Sequence, residues 1–224
     1  MKKVLSEKFE LYNIYIPYVN TNCYVLSQCN DAILVDAGGD GNLIIDYIKK
    51  NNLNLKAILL THGHYDHIEA LDNICEVYSD ATLYANAREK IVIENKNNSL
   101  MEHELKKEVL EKINYINDGF DIDVIGTKIK MISTPGHTVG CCCYYVDELK
   151  ILFSGDTMFK DTYGRVDLPT SNPKEIVMSF SNKLMKLADD VEVYPGHGFP
   201  TNIGYEREHS ELLKDYVVNW ARNN

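Results

Sequence analysis

Ala57-Ile58-Leu59-Leu60-Thr61-His62-Gly63-His64-Tyr65-Asp66-His67 sets an apolar run directly against three histidines and an aspartate. The apolar part reads as a buried strand, and the polar part as a loop wrapped around an ion rather than as one face of a helix. Imidazole and carboxylate donors in such density suit a borderline divalent cation.

Working outward, three more segments place a metal-competent residue just after an apolar strand. His137 follows Ile129 to Ser133 through Thr134-Pro135-Gly136, Asp156 follows Ile151-Leu152-Phe153-Ser154-Gly155, and His197 follows Val191 to Tyr194 through Pro195-Gly196. Strand ends gathered on one rim are where open α/β sheets put their sites. Gly136, Gly155 and Gly196 let the backbone turn sharply and aim the next side chain over the strand end. Any one of these histidines alone would read as an ordinary turn or core residue. Their joint placement with the cluster makes a metal site the better reading. His103 and His209 fall on expected surface helices and read as solvated.

A 224-residue chain with 45% hydrophobic residues suits one domain over 1–224. A net charge of −10 argues against broad nucleic-acid or anionic-membrane binding, which needs a basic face. The start Met1-Lys2-Lys3-Val4-Leu5-Ser6-Glu7-Lys8 lacks the apolar stretch of a secretory signal, and no run reaches transmembrane length. The six cysteines show no C-x-x-C spacing, and Cys141-Cys142-Cys143 reads as a buried strand. A reduced, cytoplasmic protein is expected.

Strand-like runs at Phe9 to Ile16, Asn22 to Ser27 and Ala32 to Val35 suggest an antiparallel meander. A helix from Leu43 to Lys50 and a strand from Leu55 to Leu60 turn the pattern to β-α-β. A short helix is expected near Ile68 to Ile74, a strand near Thr82 to Tyr84, and a charged helix-loop excursion from Glu94 to Lys112. The second half repeats the outline, with strands at Lys128 to Ser133, Cys141 to Val146 and Lys150 to Ser154. Asn172, Pro173 and Glu175 open a helix that should run to about Leu187, with Glu175 completing a capping-box-like start. Val191 to Tyr194 is a strand, and Ile203 to Asn219 an amphipathic helix. By pattern alone the fold is α/β or α+β.

The four segments Thr61 to His67, Thr134-Pro135-Gly136-His137-Thr138, Ser154-Gly155-Asp156-Thr157 and Pro195-Gly196-His197-Gly198 resemble those of metallo-β-lactamase-fold hydrolases, in family order. The resemblance spans nearly the whole chain. It implies an α+β fold, an αβ/βα four-layer sandwich of two mixed sheets with helices on the outer faces. It further implies two divalent ions, expected to be zinc, with iron or manganese accepted by the same donors. His62, His64 and His137 would hold the first ion, Asp66, His67 and His197 the second, with Asp156 bridging. Ions roughly 3.5 to 4 Å apart can hold a bridging hydroxide and polarise a carbonyl together, which makes hydrolysis the expected chemistry.

Thr134 to His137 and Gly155 to Phe159 are closest to the glyoxalase II-like branch. Tyr163 to Pro169 and Gly198 to Glu208 resemble a compact bacterial and archaeal subgroup of it. The implied substrate is a small-molecule thioester such as S-D-lactoylglutathione or a related acyl-thiol, whose thiolate leaves without a dedicated general acid. Asp66 would orient the nucleophile or accept its proton. Arg165 would fix a carboxylate through its planar fork, or else anchor its loop by pairing with Asp167. Long glyoxalase II enzymes carry a basic C-terminal helical extension for glutathione, whereas this chain ends at Asn224, so the identity of the thiol stays open. Within the same fold, two other readings are a mononuclear iron persulfide dioxygenase using His62, His137 and Asp156, and a lactonase or β-lactamase. A purely structural zinc module fits less well, because structural sites close with four ligands and seven donors leave room for water. Oligomeric state is not readable from the sequence.

Overall fold

Strand β5 (Asn54–Leu59) sends apolar side chains to both sides: Ile58 joins Leu34 in one buried layer, while Ala57 and Leu59 join Ile33 and Val35 in another. A strand covered on both faces reads as a continuous apolar run rather than an alternating one. The computed structural model, in which residues 2–210 are described, places β5 near the middle of the first of two facing sheets.

That sheet runs in the order β1 (Lys2–Val4), β2 (Phe9–Ile16), β3 (Thr21–Gln28), β4 (Asp31–Val35), β5, β6 (Thr82–Asn86) and β7 (Ile113–Ile116). It is antiparallel up to β4 and parallel from β4 to β7. The second sheet has the order β13 (Thr201–Asn202), β12 (Glu192–Pro195), β11 (Ile151–Gly155), β10 (Cys142–Val146), β9 (Thr127–Ser133) and β8 (Asp121–Val124), with only β11 and β12 parallel. The helices are α1 (Gly41–Lys50), α2 (Tyr65–Ile68), α3 (Leu71–Val77), α4 (Lys90–Ile93), α5 (Lys96–Ser99), α6 (Lys107–Leu110), α7 (Pro173–Asn182) and α8 (Ile203–His209).

Three apolar layers follow. Ile44 and Ile48 of α1, with Leu71 and Ile74 of α3, cover the outer face of the first sheet. Phe9, Leu26, Leu59, Tyr144 and Phe153 fill the space between the sheets. Ile176, Val177 and Phe180 of α7 cover Leu152 and Val193 on the outside of the second. This is the expected four-layer α+β sandwich.

The two sheets are also hydrogen-bonded to each other where the histidine cluster begins. Cys142 N donates to Thr61 O at 2.9 Å, and the buried Tyr144 hydroxyl donates to Leu60 O at 3.0 Å. Cys141, Cys142 and Cys143 are wholly buried, as expected of a core strand, and burial raises their thiol pKa values. All six cysteines are free. Among the described residues no helix is long and apolar enough to cross a membrane.

Several boundaries differ from the pattern reading. The cluster is a loop only through His64. Tyr65–Ile68 forms one helical turn closed by His67 N donating to His64 O at 2.9 Å, so Asp66 and His67 project from helical backbone. Strand β8, whose sequence alternates acid and aliphatic, pairs with β9 through a turn in which Ile125 and Gly126 both have positive φ (45° and 72°), the backbone of a tight hairpin. Helix α7 stops at Asn182 rather than Leu187, because Lys183 leaves helical geometry (φ −125°, ψ −65°) and its ammonium bonds Ser133 O and Asp118. Asn172 caps α7 by accepting from Lys174 N and Glu175 N, but Glu175 pairs with Arg88. The last expected helix is described over Ile203–His209, Ser210 leaves helical geometry (φ −70°, ψ 92°), and the rest of the expected span lies outside the described residues.

Replacing Tyr144 by Phe removes the inter-sheet hydroxyl and leaves Leu60 O with only a weak thiol donor from Cys142. A loss of about 1 kcal/mol in unfolding free energy is expected, read in urea titration as a lower midpoint at unchanged slope.

Candidate metal centre

Each donor arrives from a strand end, and the facing sheets bring the ends together. His62, His64, Asp66 and His67 follow β5, while His137, Asp156 and His197 follow β9, β11 and β12. Three groups of donor atoms each lie within 4.8 Å of one another: His62, His64 and His137; Asp66, His67 and His197; and His62, His67 and Asp156. Asp156 sits between the first two groups. Its Oδ1 is 3.3 Å from His67 Nε2, and its Oδ2 lies 3.5 Å from His137 Nε2 and 3.3 Å from His197 Nε2.

Outer partners fix which ring nitrogen faces inward. His67 Nδ1 donates to Asp36 Oδ2 at 2.8 Å, His137 Nδ1 to Arg165 O at 2.8 Å, and His197 Nδ1 to Asn20 O at 2.7 Å. In all three the Nε2 lone pair is left for the centre, the arrangement that orients and strengthens metal-binding imidazoles. Asp36 also accepts from Thr61 N and Thr61 Oγ1, both at 2.8 Å, so one carboxylate holds the first and last residues of the cluster. Thr21 Oγ1 donates to Asp66 Oδ2 at 3.2 Å.

The donor set fits divalent ions on two observations. His62 Nε2 and Asp156 Oδ1 are buried without any hydrogen-bond partner, a costly state for polar atoms unless something else binds them. His64 Nδ1 and His137 Nε2 also stand only 2.9 Å apart, near enough to share one ligand.

The charges point the same way. Burial drives the His62 imidazole well below its ordinary pKa and lowers His64 to about 3, so both favour the neutral, donating form. Burial acts on His67 and His197 too, but carboxylates outweigh it: Asp66, Asp156 and Asp36 hold His67 well above the usual range, and Asp156 and Asp66 raise His197 to about 10. Burial also works against ionised Asp156, yet His67 and His197 keep it well below the usual carboxylate range. The half facing Asp66 and Asp156 is thus built for positive charge.

Glycines permit the approach. A Cβ on Gly196 would lie 2.4 Å from Asp156 Oδ1 and 2.6 Å from His67 Cε1, and Gly155 carries a φ of +49°. The Arg165 guanidinium, expected either to fix a carboxylate or to anchor its loop, makes two bonds to Asp167 at 2.7 and 2.8 Å, while its backbone carbonyl is what meets His137. His103 and His209 are exposed.

Asp36 and Glu89 support the site without standing out in the sequence pattern. Asp36 obeys the same rule as the ligands, a polar residue directly after an apolar strand, but in Asp36-Ala37-Gly38-Gly39 it reads as turn punctuation. Glu89 has no local signal. It lies in a helical turn after β6, is 1% exposed, and burial raises its carboxyl to about 7 against the pull of its donors.

A four-layer sandwich with histidines and aspartates converging at one edge between its sheets defines a metallo-hydrolase scaffold. The family model of the metallo-β-lactamase superfamily matches residues 16–197, and the chain belongs to that superfamily. Among similar proteins are the probable metallo-hydrolase YqgX of Bacillus subtilis, 31% identical over 202 residues covering 89% of this chain and 95% of that protein, and the hydroxyacylglutathione hydrolase GloC of Haemophilus influenzae, 30% identical over 200 residues covering 86% and 92%. The crystal structure of the BLEG-1 B3 metallo-β-lactamase superposes with a TM-score of 0.83 at 29% identity, over 91% of this chain and 99% of that one.

Asp36→Asn keeps the side-chain size but turns an amide toward donors that need an acceptor. Zinc affinity measured by competition with a chelating dye should fall about 10- to 100-fold, with the far-ultraviolet spectrum unchanged.

Proposed function

We propose that this protein hydrolyses small-molecule thioesters at a two-ion centre formed by His62, His64, Asp66, His67, His137, Asp156 and His197. The observation that carries this reading is the pair of donor groups on either side of Asp156, where His62 Nε2 and Asp156 Oδ1 are buried with no hydrogen-bond partner. The thioester class is supported by similarity to the hydroxyacylglutathione hydrolase GloC.

Two ions bound there would supply Lewis acidity toward a carbonyl and a lowered pKa for water. The remaining steps belong to the chain. Asp66, held by Thr21 and 3.2 Å from His197 Nε2, is the carboxylate placed to orient the attacking water and accept its proton at Oδ2. Asp36, Arg165 O and Asn20 O hold three imidazoles in fixed tautomers, so little reorganisation is needed as charge develops. The thiol leaves as a thiolate, and the site needs no further acid to protonate it. Arg165 acts on this scheme through its backbone, by orienting His137.

Metal content should be measured on protein purified without added metal, and the same sample assayed against acyl-thioesters including S-D-lactoylglutathione. Two bound ions per chain and thioester turnover are expected. Stripping with a chelator should abolish turnover, and zinc, iron or manganese should restore it to different degrees. His64→Ala and Asp156→Ala should each lower kcat/KM by more than about 100-fold, the upper end seen for groups that only orient ligands. Opening of a lactone or β-lactam without thioester turnover would overturn the substrate class, and oxygen consumption on a persulfide with one bound iron would overturn the reaction type.

A further inference from the structure

Away from the donor atoms, one buried carboxylate touches loops of both sheets. Glu89 Oε1 accepts from Gly63 N at 2.8 Å, and Glu89 Oε2 accepts from Gly140 N at 2.7 Å and from Thr138 Oγ1 at 2.9 Å. The backbone is as tightly placed as the side chain, since a Cβ on Gly140 would lie 2.2 Å from Glu89 N. Just before it, Asn86 Nδ2 donates to Ser133 Oγ at 3.0 Å, a second bond from the end of β6 to the end of β9.

The positions of these donors along the chain are selective. Gly63 lies between His62 and His64, and Thr138 follows His137 directly. Glu89 therefore grips the backbone between His62 and His64 and the residues just after His137, and makes no hydrogen bond to the Tyr65–Ile68 turn that carries Asp66 and His67 or to the loop that carries His197. Two of its three partners are backbone N–H groups, which can only donate.

We infer that Glu89 is a positioning residue that sets the spacing of His62, His64 and His137 across the two sheets, and thereby the ion affinity of that half of the centre alone. The inference rests on the two-ion reading but not on any substrate. Gln at this position offers one acceptor and one donor group. Its amide nitrogen would face a backbone N–H or the Thr138 hydroxyl, and one of the two loops would lose its hold.

The test is cobalt(II) titration of metal-stripped wild type, Glu89→Gln and Thr138→Val, followed by visible absorption, with thermal unfolding of each stripped protein alongside. Wild type should take up two ions. Glu89→Gln should bind one ion as wild type does and the other about 10- to 100-fold more weakly, with the absorption of the weakened site changed. Thr138→Val, which removes a single donor, should weaken the same site by a smaller factor and serves if Glu89→Gln does not fold. A purely structural role would lower the melting temperature while leaving both cobalt affinities and spectra at their wild-type values, and that result overturns the inference. Wild type that binds two ions but cleaves no thioester would overturn the substrate proposal and leave Glu89 to be judged on its titration. Wild type that binds no cobalt would overturn both.

Discussion

Cys142 N donating to Thr61 O is the bond on which the arrangement of this protein turns. It joins the second sheet to the first at the residue that opens the histidine cluster, and Tyr144 reinforces it one position earlier by bonding Leu60 O. Four of the seven donors come from the first sheet and three from the second. A centre divided in this way exists only while the sheets keep their register, so apolar packing between them bears directly on chemistry. Phe153, Tyr144 and Leu59 fill that layer without exposure.

Buried carboxylates do the finer adjustment. Asp36 ties Thr61 to His67, Glu89 ties the His62–His64 segment to the His137 loop, and Glu206 accepts from Asp161 N and Thr201 Oγ1 to tie the loop after Asp156 to the segment after His197. Each is at most 2% exposed. An ionised group so buried is costly unless several donors surround it, and here the donors are the backbone and hydroxyls of the loops that carry the ligands. The cost of burial is offset by bonds that at the same time place the imidazoles.

All seven candidate donors are legible in the sequence because each is a histidine or aspartate that comes shortly after an apolar strand. The helix start at Asn172 is legible for a similar reason, since capping is a matter of neighbours in sequence. Local rules do not reach strands too short or too charged to alternate cleanly, such as Lys2–Val4 and Asp121–Val124, whose place is set by pairing to a neighbour. The turn Tyr65–Ile68 escapes them because its histidine and aspartate dominate the reading of a stretch only four residues long.

Residues close together along the chain are enough to specify the candidate donors and an α/β or α+β pattern, because strand burial and strand-end chemistry are both local properties; the four-layer sandwich is implied by the resemblance of the donor segments to metallo-β-lactamase-fold hydrolases. Other features emerge only from the folded arrangement: which nitrogen of each ring faces the centre, the meeting of the Arg165 carbonyl with His137, and the support given by Asp36 and Glu89. Those features depend on hydrogen bonds between segments 25 to 177 residues apart. Such partners share no periodicity or spacing, and they meet only when the two sheets close on each other.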